Sequence, residues 1–158
     1  MQTNTRHTSD KHKRNGEHIL ISLTYIAKKT DKNSGVELAR ALEHWRRYFE
    51  NNHITSALVV NDDYFIQNIQ GSRPAINQAL AKIISEYLEI SPNVIEVEEI
   101  EVRTWDKFLI KHLTSSVEDE EYALQHFSAG ADFNPYLMKS TQIRHFLNAI
   151  FAEDKIVS

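Results

Sequence analysis

Two strand-forming runs, the first rich in β-branched residues, separated by three turn-forming residues constrain this chain more than any other feature. Ile54 to Val60 is the first run, Tyr64 to Gln70 is the second, and Asn61-Asp62-Asp63 lies between them. Such residues suit a pleated surface packed against neighbours. Asn and Asp tolerate left-handed backbone and bond their own main chain, so a tight turn is expected at 61–63. The pattern predicts a β-hairpin closed by Gly71. An isolated hairpin is marginal in water, so the flanking segments must cover it.

Those flanks carry the required periodicities. His18 to Ile26 reads as a strand, with Ile19, Ile21, Leu23 and Tyr25 on one face and Ile26 on the other. After a polar connection, Ser34 or Gly35 starts a helix from Val36 to about Asn51, whose stripe Leu38, Leu42, Trp45 and Phe49 must face the sheet. Pro74 opens a second helix to about Leu88, where its missing N–H costs nothing. Ile76, Leu80, Ile83, Ile84 and Tyr87 are its expected buried face. Ser91-Pro92-Asn93 breaks the pattern, and Val94 to Arg103 reads as a fourth strand. Trp105 to Leu113 is expected as a fifth strand at an edge, or an irregular segment. The order β-α-β-β-α-β predicts an α+β, ferredoxin-like mixed sheet with two helices on one face.

The remainder is expected to be a C-terminal helical extension. Ser115 with Glu118 resembles a capping box for a helix ending near Phe127. Asn134-Pro135 should start a last helix to about Ala152, made apolar by Leu137, Ile143, Phe146, Leu147, Ile150 and Phe151. Its stripe should lie on the sheet or on a second subunit, so a homo-oligomer is compatible with it. The expected domain plan is a basic disordered tail over 1–16, the sheet domain over 17–113 and the extension over 114–158. Arg6, Lys11, Lys13 and Arg14 make the tail basic, but it has no interleaved aromatics to suggest a nucleic-acid arm.

Composition removes several function classes. The chain has no cysteine, which excludes disulfides, thiolate zinc sites and a cysteine nucleophile. Its 18 Lys and Arg against 22 Asp and Glu give a net charge of -4, so neither nucleic acid nor an anionic membrane is the expected partner. No apolar run is long enough to span a bilayer, and a cytoplasmic protein is expected. The eight histidines show no metal-ligand spacing, and no phosphate-cradling glycine loop occurs among four glycines. Glu96, Glu98, Glu99 and Glu101 read as a solvated strand edge that resists aggregation rather than as catalytic carboxylates. No enzymatic activity is expected.

The hairpin Ile54-Thr55-Ser56-Ala57-Leu58-Val59-Val60, turn, Phe65-Ile66-Gln67-Asn68-Ile69-Gln70-Gly71 resembles the central hairpin of the BLUF family, which reads roughly GITGLLLY, turn, FLQxLEG. Leu23-Thr24-Tyr25-Ile26-Ala27 is similar to that family's LxYxS opening, and Arg103, Trp105, Phe108 and Ile110 resemble its later R-x-F-x-x-W-x-M segment. The resemblance covers about residues 18 to 113. It implies a blue-light sensor fold with flavin adenine dinucleotide (FAD) between the two helices. It also implies that Tyr25 and Gln67 form the light-switched hydrogen-bond pair.

Several flavin-contacting positions depart from the family pattern. Phe49 stands where the family has a flavin-bonding asparagine, and Phe108 and Ile110 stand for the late tryptophan and methionine. His53 and Ser56 replace glycines, Ala27 replaces the serine after the tyrosine, and Ser91-Pro92-Asn93 replaces an arginine–histidine stretch. Two readings follow. In one, the chain is a regulatory module that has lost or weakened flavin binding and works through a protein partner. In the other, it is a photoreceptor that keeps FAD. A ferredoxin-like small-molecule sensor is a third, weaker reading.

Overall fold

The computed structural model describes residues 18–29, 35–86, 90–113 and 133–156. Five strands form one mixed sheet: β1 (Leu20–Lys28), β2 (Thr55–Val60), β3 (Tyr64–Ser72), β4 (Asn93–Ile100) and β5 (Phe108–His112). Their order is β4-β1-β3-β2-β5. The first four strands give the expected ferredoxin-like arrangement. β5 adds a parallel edge, pairing Ser56 with Phe108 and Leu58 with Ile110. The hairpin turn is held by Asn61, whose Oδ1 accepts from the Asp63 and Tyr64 N–H groups at 2.9 and 2.6 Å. The bonding capacity that marks Asn as a turn former is used here directly.

Helices α1 (Gly35–Asn51) and α2 (Arg73–Ser85) cover one face of the sheet. Gly35 begins α1 at φ +59, a left-handed backbone that suits glycine. Leu38, Trp45 and Phe49 are buried on the sheet side of α1, and Leu42 is half-buried beside them. Ser72 caps α2 by accepting from the Ala75 N–H at 3.3 Å, and Pro74 lies in its first turn. Ile76, Ala79 and Ile83 form its buried face. Ile84 is a correction to the periodicity: at 55% exposure it faces solvent, because α2 ends at Ser85 and the stripe runs through Ala79 instead. Tyr87 and Leu88 lie outside the described residues.

The opposite face is covered by α3 (Ser140–Ile150), which buries Ile143, Phe146 and Leu147 against Ile26, Ala57, Val59 and Ile66 of the sheet. Trp105 and Phe151 meet edge-on within this second core, with centroids 5.8 Å apart. The last helix is not continuous from Asn134. Asn134 caps only a single 3-10 turn, Pro135–Leu137, and the backbone is extended at Met138 and Lys139. Gln142 then accepts from the Lys139 N–H at 2.7 Å, giving α3 its own start. The break leaves Leu137 82% exposed, although its apolar character suggested burial. The helix expected over 115–127 lies outside the described residues.

β4 is the other sheet edge; Glu98 and Glu99 are exposed there, but Glu96, expected in solvent, is half-buried and paired with Arg144 of α3. It ends at Ile100 rather than at Arg103, because Arg103 turns inward to bond the Gln70 carbonyl at 2.9 Å. Ile19 precedes β1 and is 41% exposed, so the inward face of β1 begins at Ile21.

Phe146 is fully buried and packs beside Phe133 at 5.2 Å. Phe146→Ala should therefore lower the unfolding free energy by about 3–5 kcal/mol, as large-to-small core substitutions do. A urea titration followed by circular dichroism measures this. A loss under about 1 kcal/mol would mean that α3 is not part of the cooperative core.

Candidate functional site

The sheet register places residues from four strands in one row under α1 and α2. Tyr25 of β1 pairs with Gln67 of β3, Gln67 with Leu58 of β2, and Leu58 with Ile110 of β5. The neighbouring row runs Leu23, Ile69, Ser56 and Phe108. Tyr25, Gln67, Ile110 and Phe108, far apart in sequence, are thus brought onto one face. Phe49 approaches that face from the last turn of α1 and meets Phe108 edge-on, with ring centroids 5.5 Å apart.

Tyr25 and Gln67 are wholly buried. The Tyr25 hydroxyl donates to Gln67 Oε1 at 2.6 Å. Gln67 Nε2 donates in turn to Ser56 Oγ at 3.3 Å. A buried amide must find partners, and this one finds an O–H donor on one side and a hydroxyl acceptor on the other. Burial pushes the Tyr25 phenol far above its ordinary range, so it stays a neutral donor. The Ser56 hydroxyl was legible only as a replaced glycine. That it reaches Gln67 depends on the β2–β3 register.

Apolar packing surrounds this chain of bonds. Trp45 and Phe49 of α1 are fully buried in the cluster that holds Tyr25, Leu58, Ile76 and Ile83. Trp45 meets Phe65 at 6.3 Å. Across the top, Lys82 of α2 lies over the Tyr48 ring of α1 at 5.3 Å, which ties the two helices to each other.

The other face of β3 carries a second polar network that sequence reasoning did not assemble. Asn68 Nδ2 donates to Ser22 Oγ and Thr24 Oγ1 at 2.8 and 2.9 Å. Its Oδ1 accepts from Trp105 Nε1 at 2.9 Å and from Gln70 Nε2 at 3.0 Å. Gln70 Oε1 also accepts from the Thr104 N–H at 2.7 Å. The available signal was two amides at alternate positions of a central strand, which cannot both be buried without partners. Among the described residues, no group of three or more His, Asp or Glu could hold a metal. No described helix is long and apolar enough to cross a membrane.

A five-stranded α+β sheet with a buried tyrosine–glutamine pair under two helices defines the class. The family model for sensors of blue light using FAD matches residues 20–111, and the chain belongs to this BLUF family. Solved BLUF structures share the fold at low identity. The photo-activated state of BlsA is 19% identical, with a TM-score of 0.70 over 89% of this chain and 100% of that one. The dark state of BlrB is 20% identical, with a TM-score of 0.59 over 86% of this chain and 97% of that one. Klebsiella pneumoniae BlrP1 with FMN and cyclic diGMP is 18% identical, with a TM-score of 0.58 over 86% of this chain and 36% of that one. No curated protein matches the chain.

Tyr25→Phe removes the only O–H that the Gln67 carbonyl receives from Tyr25 and should cost about 1–3 kcal/mol. It should also change the alkaline limb of the stability curve. The folded phenol is held neutral while the unfolded one ionises near about pH 10. Above that pH the unfolded state binds fewer protons, so wild-type stability falls as pH rises. Urea midpoints from pH 8 to pH 11 should show a shallower decline in Tyr25→Phe. Equal slopes would mean that Tyr25 is free to ionise in the fold.

Proposed function

We propose that this BLUF protein is a regulatory module that signals through contacts with a protein partner and does not hold flavin tightly. The observation that carries this reading is the packing of Phe49 on Phe108 beside the Gln67 amide. Tyr25 takes one end and Ser56 the other, and Phe49 with Phe108 packs apolar ring surface alongside. A flavin needs polar partners at its ring edge. Phe49, in the position the resemblance gives to a flavin-bonding asparagine, offers none. Its phenyl ring also occupies volume in the core that reaches from α1 to α2. The Tyr48–Lys82 contact supports the same reading by joining the helices between which the cofactor would enter.

The Tyr25–Gln67 bond favours a second reading, a photoreceptor that binds FAD by altered contacts. Tyrosine offers a redox-active phenol, and glutamine offers both donor and acceptor. In that reading Phe108 and Ile110 would flank the cofactor from β5. FAD supplies blue-light absorption and electron acceptance when bound; the chain's own part is to hold the phenol neutral and the amide in place.

Flavin titration separates the two. The purified wild type should retain no blue absorption band after incubation with FAD and gel filtration. Phe49→Asn combined with Ser56→Gly should restore affinity by about tenfold or more, the order expected for one regained buried hydrogen bond. Retention of FAD by the wild type, with a red shift of its band under blue light, makes the photoreceptor the correct reading.

A further inference from the structure

Arg103 follows β4 and turns back under the end of the sheet, where it is half-buried. Its Nη1 donates to the Gln70 carbonyl at 2.9 Å and to Thr55 Oγ1 at 3.2 Å. Those two bonds fix the guanidinium plane. Nη2 and Nε have no acceptor among the described residues, and no described carboxylate forms an ion pair with the group. Several other arginines are paired: Arg46 with Glu43 and Glu50, Arg73 with Glu99, and Arg144 with Glu96 and Glu98. Burial pushes the Arg103 guanidinium down from its ordinary value, yet an arginine remains cationic at neutral pH. A partly desolvated cation with no carboxylate partner among the described residues is costly, so its remaining N–H groups suit an anion.

Arg103 lines a groove of about 840 Å³. Clefts of a few hundred to about a thousand cubic ångströms are the usual size for small-molecule sites. Ile54, Phe108 and Ile156 supply apolar wall, and Lys107 and His53 add positive or polar groups at the rim. Two carboxylates also border it. Both are exposed; Glu50 is paired with Arg46 at 2.6 Å, and Asp106 lies beside Lys107 in sequence. The groove therefore combines one oriented cation with an apolar wall.

The geometry points to this groove as a binding site for a small organic acid with an apolar body. The carboxylate lies on the outer N–H edge of Arg103, and the body lies against Ile54, Phe108 and Ile156. One guanidinium fork matches one carboxylate, whereas a polyphosphate would need more donors than the rim provides. The site shares Phe108 with the candidate flavin position, but it rests on Arg103 and not on the Tyr25–Gln67 pair.

4-Phenylbutyrate is a suitable probe, with 4-phenylbutan-1-ol as its uncharged counterpart. Titrated into the full-length 15N-labelled protein, the acid should shift the Trp105 indole N–H and the amides of Thr104 to Phe108 in a saturable way. The alcohol should bind at least about tenfold more weakly, and Arg103→Gln should weaken the acid by a similar factor. The proposal is overturned if the acid leaves those resonances unmoved at millimolar concentration. It is equally overturned if the alcohol binds as well as the acid, or if folded Arg103→Gln binds the acid as wild type does. Should Arg103→Gln fail to fold, the acid–alcohol comparison on the wild type decides alone.

Discussion

β3 is paired on both edges and covered on both faces, and the rest of the structure is arranged around that condition. It hydrogen-bonds β1 on one side and β2 on the other. Every side chain from Phe65 to Gln70 is buried. Three of those six are amides, Gln67, Asn68 and Gln70. A buried amide left without partners costs as much as several favourable contacts return. The fold answers on each face with polar groups from other elements: Tyr25 and Ser56 on one, and Ser22, Thr24, Thr104 and Trp105 on the other. β1 and β2 are therefore bound to β3 by their side chains as well as by the ladder.

The proposed light-switched pair involves the same strand. The BLUF resemblance gives that role to an amide beside a phenol, and on it the amide would be Gln67 of β3. The surroundings of the pair support the flavin-free proposal. Where the resemblance gives a flavin-bonding asparagine, Phe49 meets Phe108. The polar bonds are then satisfied inside the protein, and the helices close on one another through Tyr48 and Lys82. On the reverse face, Trp105 is held by Asn68 while its ring packs on Phe151. A single strand thus touches both the helix-covered site and the C-terminal cap, with adjacent residues Gln67 and Asn68 pointing to opposite sides.

Much of this was readable because it is local. The period-two pattern of β1 and β3, the stripe of α1 and the Asn61 turn depend on neighbours a few residues away. The misreadings arose where a local pattern met a distant partner. Ile84 fits the α2 stripe by spacing, yet α2 ends one residue later and leaves it in water. Asn134-Pro135 is a sound helix start, yet only one turn follows before Met138 becomes extended. β4 stops early because Arg103 is drawn to the Gln70 carbonyl, a residue 33 positions away.

The sequence by itself determined the element order, the two-faced character of the sheet, and the presence of a tyrosine and a glutamine on inward strand faces. Side-chain alternation and helix periodicity are properties of the covalent chain, and they need no knowledge of what packs where. Only the tertiary structure decided that Tyr25, Gln67, Leu58 and Ile110 share one row, that Ser56 reaches the Gln67 amide, and that Phe49 lands on Phe108. Those contacts depend on register between strands distant in sequence. A shift of one residue would turn every side chain to the opposite face, and the buried amides Gln67 and Asn68 would then lose Tyr25, Ser56, Ser22 and Thr24 as partners.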